Sequence, residues 1–385
     1  MNLHICLISD QLFANYLPIK LERPDKVFII GTQYTENKGL NSRFEKLLDG
    51  LGIAYQRANT FAPADDFTQL SEYFLELSNE IEVLNPSQIT LNLTGGTKLM
   101  AIAANEMLRT DSTRVIYTNT QAGKIDIINE GETDISLPSL LTIDEYLTSY
   151  GVSPKSYNSQ DDEWIATAQD RKSLTKLFVE YFAKDKAFLG TLNYYVQRAV
   201  EKKPNSNDVL LKYPKQQLNN LNKNRIALLK KITDCGLVDI DEESATIYFK
   251  SAEAAQYLGG FWLEEYAYFI AVDIGIDEVR CGQNIQWDKK TRNELDIVLV
   301  HNNRLMIMEC KTRNYGKNEA KDNDSIYKLD SVAEDLRGLY GEKWLLSVDN
   351  VDDRADKRAK SQGIRFIAGN NLKNLQDELI KWRDK

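Results

Sequence analysis

Short apolar runs separated by polar turns recur along the first 150 residues. Residues 4–9, 26–31, 53–57, 88–94 and 114–119 each read as a strand. Between them, apolar side chains return every three or four positions over 41–51, 67–84 and 98–109, the spacing of a half-buried helix. Strands alternating with helices of that length predict βαβ units and a parallel, Rossmann-like sheet across residues 1–150. Residues 151–162 are polar and aperiodic, which predicts a linker. Helical spacing follows over 163–184, 188–202 and 216–235, broken at 203–207, and 237–249 reads as a hairpin with an acidic turn. Helices followed by a small hairpin predict a winged-helix-like module within 151–258. From 259 onward the pattern predicts a helix at 261–272 and a strand at 279–287. Two strands then flank His301-Asn302-Asn303, followed by a helix at 325–340 and a strand at 343–347. A charged helix at 352–362, a strand at 364–367 and a terminal helix at 372–382 complete an α/β/α domain over 259–385.

Two stretches carry chemistry. In 293–311, strand alternation puts Glu294, Asp296, Val298 and Val300 on one face. After the turn, the apolar run Leu305 to Met308 delivers Glu309 and Lys311, two apart and so on one face. The hairpin then brings Asp296, Glu309 and Lys311 towards one point, with His301 close enough to be considered. Two carboxylates that near repel unless a cation lies between them. A hard divalent ion such as Mg²⁺ or Mn²⁺ takes oxygen ligands of this kind, and Lys311 suits a developing negative charge. The same charges also suit a solvated hairpin end. A glutamate closing a buried run is what favours a site, because such a charge needs a partner. The second stretch lies at strand ends. Ser9-Asp10-Gln11 follows the first strand, and Thr94-Gly95-Gly96-Thr97-Lys98 joins the fourth strand to a helix. Glycines admit close backbone approach and a helix N-terminus offers free N–H groups to an anion. The loop fits phosphate chemistry without matching GxxxxGK[ST] or GxGxxG. A plain glycine turn with a threonine cap is the alternative.

Charge and composition narrow these readings. The 385 residues carry a formal charge of −9. That balance argues against broad nucleic-acid binding and asks for a local basic groove. Arg313, Lys317, Lys321 and Lys328 are candidates for it, or a solvated face. The middle helix is basic at Lys215, Lys223, Arg225, Lys230 and Lys231. The acidic hairpin at Asp239, Asp241, Glu242 and Glu243 would repel phosphates, so a connector or dimerisation role suits the module better than sequence readout. Four dispersed cysteines read as reduced thiols, and two histidines exclude a His-rich metal site. No apolar run approaches the roughly 20 residues of a membrane span, and the first residues lack a signal-peptide pattern. A cytoplasmic protein is expected.

Asp296 followed by Glu309-Cys310-Lys311 after an apolar strand resembles the D…(D/E)-x-K core of the PD-(D/E)XK restriction-endonuclease-like superfamily. Glu264, on the helix that begins at Gly260-Phe261-Trp262-Leu263, occupies the position of that superfamily's helical glutamate; Leu295 stands where the motif's proline would be. The strand ends at Ser9–Gln11 and Leu91–Ala101 resemble the CARF domain, the CRISPR-associated Rossmann-like sensor of cyclic oligoadenylates. Together they are similar to the two-domain CARF–nuclease family. The resemblance implies catalysis by Asp296, Glu309, Lys311 and Glu264, with Mn²⁺ or Mg²⁺ on Asp296, Glu309 and Glu264. It implies cyclic tetra-adenylate as allosteric activator, bound by Ser9, Asp10, Gln11, Thr94, Gly95, Gly96, Thr97 and Lys98. It further implies single-stranded DNA and RNA among the substrates, a homodimer, and a role in type III CRISPR antiviral defence. The alternative is a ligand-responsive CARF–winged-helix regulator with an inactive nuclease-like domain. The retained Asp296, Glu309 and Lys311 speak against it.

Overall fold

The apolar runs of the N-terminal segment pair side by side in a computed structural model that describes residues 1–129, 131, 133–202, 209–287, 292–312, 341–350 and 353–385. The chain divides into two units, one built on Met1–Pro154 and the other on Lys155–Ile285 with Arg292–Lys385.

In the first unit, β1 (Asn2–Leu7), β2 (Lys26–Ile30), β3 (Ala54–Arg57), β4 (Gln88–Asn92) and β5 (Thr113–Asn119) are parallel. The sheet does not stay parallel. β6 (Lys124–Ile127) and β7 (Ile135–Ser136) add on antiparallel, giving the order β3-β2-β1-β4-β5-β6-β7. Its helices are α1 (Leu12–Glu22), α2 (Gln33–Asn37), α3 (Leu40–Leu51), α4 (Phe67–Val83), α5 (Lys98–Leu108) and α6 (Ile143–Ser149), and the two-residue β8 (Ser153–Pro154) ends the segment. Leu3, Ile5 and Leu7 of β1 share a core with Leu70, Phe74 and Leu77 of α4 and Met100 and Ala104 of α5. Helix α1 is absent from the sequence reading for a physical reason. Leu12 to Ile19 are all buried, so no polar face marks a helical period. His4 is sealed inside β1. Burial, then the positive charge of Arg114, lowers its pKa to about 3, so it is a neutral core side chain.

In the second unit the expected linker is built into structure. Lys155 N donates to Asn284 O at 2.9 Å, and Asn284 N donates to Ser156 O at 2.9 Å. These bonds lay residues 155–156 along β14 (Glu278–Gln286). The expected helix 163–184 is two helices, α7 (Asp162–Asp170) and α8 (Lys172–Lys184). Arg171 between them leaves helical geometry at φ −99° and ψ 7°. Its guanidinium grips the Glu265 carboxylate through both Nε and Nη2, and lies 4.1 Å over the Tyr257 ring.

After α9 (Lys186–Ala199) the chain turns into a strand, β9 (Val200–Lys202), paired with β10 (Val209–Leu211). The helix expected over 216–235 starts only at α10 (Lys223–Asp234), capped by Asn222, because β11 (Lys215–Gln217) takes up its beginning. β12 (Val238–Asp241) and β13 (Thr246–Phe249) complete a three-stranded sheet, β11-β13-β12, beside that helix. This is the winged-helix-like pattern.

After α11 (Ala252–Gln256), a turn over Tyr257–Phe261 leads into α12 (Trp262–Asp273). The sheet that follows contains β14, β15 (Arg292–His301), β16 (Arg304–Lys311), β17 (Gly341–Ser347) and β18 (Ile364–Ala368), in the order β18-β17-β16-β15-β14. β15 and β16 are antiparallel, and β16, β17 and β18 are parallel. Helices α13 (Asp353–Ser361) and α14 (Leu375–Arg383) follow. One core joins Phe178, Val238, Trp262, Ile297, Met308, Trp344 and Trp382, so the middle segment and the C-terminal segment are packed together. The helix expected at 325–340, and Arg313, Lys317, Lys321 and Lys328, lie outside the described residues.

The Arg171–Glu265 pair can be tested directly. Glu265 is 2% exposed, and burial raises its pKa against the pull of Arg171. Removing the cation in Arg171→Leu leaves a buried unpaired charge, and the expected loss is about 3–5 kcal/mol in denaturant unfolding. A buried carboxyl with a raised pKa holds its proton more readily folded than unfolded. The deficit should therefore shrink as pH falls and widen as pH rises. A deficit that does not change with pH would contradict this account.

Candidate functional site

The hairpin β15–β16 is closed by Asn302 and Asn303, both in the left-handed region at φ 48° and 58°. Two such residues form the tight turn whose twist matches paired strands. The ladder runs from His301 opposite Arg304 to Ile297 opposite Met308. One further step sets Asp296 opposite Glu309. Because side chains alternate, Lys311 shares their face. Asp296 is 9% exposed and Glu309 4%. The Cys310 backbone N–H donates to Asp296 Oδ2 at 2.7 Å and fixes that carboxylate. The Lys311 ammonium bonds Glu309 Oε1 and lies 4.0 Å from Asp296 Oδ2. His301 stands at the closed end of the hairpin, about 17 Å along the strand from Asp296. It is therefore no partner of the acids, and it faces Asp277 at 3.0 Å instead.

Helix α12 sets Glu264 in the same electrostatic neighbourhood. Burial pushes the Glu264 carboxyl well above the usual range, and the negative charges of Asp296, Glu294 and Glu309 push it further, against Lys311. Three carboxylates thus bear on Glu264, with the Lys311 ammonium opposing them. Cys310, between two of these residues, is buried, and its thiol is pushed up by burial and then by Asp296. It has no thiolate character to offer.

Among the described residues no group of three or more His, Cys, Asp or Glu is arranged as a cage for a metal. The donor set still fits a hard divalent ion. It consists of carboxylate oxygens with excess negative charge, and Mg²⁺ is commonly held by one or two carboxylates with water and substrate oxygens filling the rest.

In the first unit, the ends of β1 and β4 lie side by side where the strand order reverses. Ligands of such sheets bind at that switch point. Asn92, wholly buried at the end of β4, donates to Ala14 O at 3.0 Å. Its Oδ1 accepts from Thr94 N at 3.0 Å and from Thr94 Oγ1 at 2.6 Å. Thr94 Oγ1 in turn accepts from Thr118 N at 2.6 Å. Asn15 Nδ2 donates to Leu7 O at 2.7 Å. Gly95 touches that same carbonyl so closely that a Cβ would lie 1.7 Å from it.

Gly96 follows in the left-handed region at φ 71°. Thr97 caps α5 by accepting from Met100 N at 3.2 Å, and it donates to Ala64 O at 3.1 Å. Thr97, Lys98, Asp10 and Gln11 are exposed. Ser9 Oγ accepts from Gln11 N at 3.4 Å. Tyr34 and Lys38 both donate to the Asp10 carboxylate, at 3.0 and 3.4 Å. Sequence reading missed Asn15, Asn92, Tyr34 and Lys38. The available signal was a lone asparagine inside an otherwise apolar run, at Asn15 within LFANYLPI and at Asn92 in QITLN.

Comparison with known proteins adds to this geometry. Residues 3–146 match the Card1 CARF domain, and residues 251–385 match the Card1-like endonuclease domain. Can2 from Sulfobacillus thermosulfidooxidans, solved in complex with cyclic tetra-adenylate, is 25% identical with a TM-score of 0.77, each chain covered over 100%. Protein VC1899 from Vibrio cholerae is 20% identical with a TM-score of 0.81, covering 100% of this chain and 98% of that one. A type III CRISPR defence DNA nuclease activated by cyclic oligoadenylate is 14% identical with a TM-score of 0.54, and 48% of its length is covered. No curated protein sequence matches significantly. Among the described residues no helix is long and apolar enough to cross a membrane.

The contact between Gly95 and Leu7 predicts a sharp contrast between two glycines. Gly95→Ala should lower stability by about 1–3 kcal/mol through overpacking against a backbone that cannot yield. Gly50→Ala, on an exposed stretch of α3 with nothing within 4 Å, should raise it by about 0.5–1 kcal/mol. Thermal unfolding of both variants checks the pair, and equal shifts would refute the contact.

Proposed function

The chain belongs to the CRISPR-associated nucleases with a CARF sensor domain, and on that premise we propose a cyclic tetra-adenylate-activated endonuclease with its hydrolytic centre at Asp296, Glu309, Lys311 and Glu264. That it is an endonuclease responsive to a cyclic oligoadenylate follows from its two matched domains and its Can2 neighbour. The regulator reading is not favoured. The observation that carries the assignment of residues is the juxtaposition of Asp296, Glu309 and Lys311 at the open end of one hairpin, inside the matched endonuclease segment.

Asp296 and Glu309, with Glu264 beside them, would hold a divalent cation, Mg²⁺ or Mn²⁺. Such an ion, when bound, supplies Lewis-acid stabilisation of the phosphoryl charge. The chain's own residues supply the rest. The Cys310 N–H keeps the Asp296 carboxylate aimed. Lys311 is a positive charge held at the strand end, where it meets the non-bridging oxygens of a phosphodiester or orients the attacking water. Half-buried Glu264 completes the shell of the cation or of the attacking water. The substrates are phosphodiesters of DNA and RNA, single strands included.

The activator site is the polar rim formed by Ser9, Asp10, Gln11, Thr94, Gly95, Gly96, Thr97 and Lys98. The N-terminus of α5 and the Lys98 ammonium favour phosphate there. A cyclic tetranucleotide has two-fold symmetry, which suits a rim contributed by each of two chains, hence a homodimer. The activator can act only by binding the nuclease-competent arrangement more tightly than the resting one. The middle module, with its acidic hairpin, serves as a connector.

The test is cleavage of labelled single-stranded DNA, RNA and supercoiled plasmid with Mn²⁺, with and without cyclic tetra-adenylate. Wild type should cut only with the ligand, and Glu309→Ala and Asp296→Asn should each lose at least about a hundredfold in rate. Cleavage that persists in both variants would remove the assigned centre. Ligand binding without cleavage in wild type would remove the nuclease reading itself.

A further inference from the structure

Glu264 also lines a second opening, in whose wall Asp296, Glu309 and Lys311 take no part. Its volume is about 170 Å³. That size suits one ring: a protein cavity of roughly 150 Å³ takes up benzene. It is too small for a nucleotide with its sugar and phosphate. Three aromatic side chains line it: Trp164, set edge-on to Tyr268 with centroids 5.5 Å apart; Phe261, which is 45% exposed; and Tyr257, whose ring is covered by the Arg171 guanidinium. Phe261 opens the helix that carries Glu264, three residues before it.

The polar groups of the wall are as informative. The cation Arg171 is committed to Glu265 and offers the opening no free positive charge. A phosphate therefore has no partner here. The Tyr257 hydroxyl is bonded to Thr175, and Glu264 belongs to the hydrolytic centre; apart from these and the Cys281 thiol, the polar groups of the wall are the amides of Asn158 and Gln256 and the exposed carboxylate of Glu253. The Asn158 amide is seated by design of the backbone. It lies against Gly282, where a Cβ would come within 2.1 Å of Nδ2 and where φ is 65°. Amides offer both donors and acceptors, and a carboxylate accepts only. A flat neutral ring with an exocyclic amine and a ring carbonyl satisfies all three groups. Among bases of pyrimidine size only cytosine has both. Carboxylates accept from its N4 amine, whereas thymine and uracil present a carbonyl there.

We infer that this pocket receives a cytosine of the substrate strand next to the scissile phosphate, stacked against Trp164 and Phe261 and read by Asn158, Gln256 and Glu253. The inference rests on the nuclease reading above. A splayed single strand can present such a base without unpairing, and base stacking on aromatic side chains is a recurrent means of holding one. Trp164, Glu253 and Asn158 are specificity-determining residues, distinct from the hydrolytic centre.

The experiment sequences the ends produced from randomised single-stranded DNA and RNA, using the full chain with cyclic tetra-adenylate and Mn²⁺. Wild type should show cytosine enriched several-fold at one fixed position relative to the cut. Glu253→Gln and Trp164→Ala should level that enrichment and raise KM several-fold, while kcat at saturating strand stays within about threefold. Asn158→Ala serves as an independent variant, should Trp164→Ala melt at a lower temperature. Cleavage by wild type with no enrichment at any position overturns the pocket and leaves the nuclease reading standing. Enrichment that survives in Glu253→Gln and Asn158→Ala also overturns it. No cleavage of any strand overturns both.

Discussion

Electrostatic repulsion among carboxylates organises the C-terminal half of this protein. Asp296, midway along β15, and Glu309, near the end of β16, face each other, and both act with Glu294 on Glu264. The Lys311 ammonium counters this repulsion from within. Such an arrangement is costly in a fold that holds nothing else there, and a buried charge persists where something offsets it. The surrounding structure supports that tension. Strands β15 and β16 are buried along most of their length, which prevents them from splaying to relieve the repulsion. A core running from α8 to α14 backs them. The site is stiff because its scaffold is the interior of the domain.

What the sequence made legible follows from what leaves a period. The β15–β16 hairpin was readable because an acid, a polar turn and an acid-x-lysine fell into alternation, so the shared face of Asp296, Glu309 and Lys311 needed no tertiary information. The five parallel strands of the first unit were readable for another reason, as short apolar runs separated by polar turns and helical stretches. Helix α1 was not, since its buried run Leu12 to Ile19 has no polar side to mark a turn. The break at Arg171 was invisible because it depends on a glutamate almost a hundred residues away. The polar stretch at 155–156 looked like a linker because edge pairing uses backbone groups, which composition does not report. Asn15 and Asn92 escaped notice because their partners are main-chain atoms brought together by the sheet.

On the proposed assignment, the two halves would hold phosphate-bearing molecules in opposite ways. The proposed rim of the first unit has a helix N-terminus, hydroxyls and Lys98, with one carboxylate, Asp10, engaged by Tyr34 and Lys38. The centre of the second uses carboxylates, which favour phosphate only when a cation mediates. A net charge of −9 is compatible with both, because neither depends on a broad basic surface.

The turn at Asn302-Asn303 is remote from the carboxylates, yet their shared face depends on its length. Five residue pairs separate His301 and Arg304 from the ladder's last pair at Ile297 and Met308, counting both ends. Because strand faces alternate, a single inserted residue that shifted the pairing there would turn Asp296 towards the apolar side and bring Leu295 or Ile297 to Glu309. Length variation among descendants of this hairpin is therefore filtered by parity. Odd changes need a compensating bulge, whereas even ones leave the carboxylates in place. The turn works as the reading frame of the proposed site.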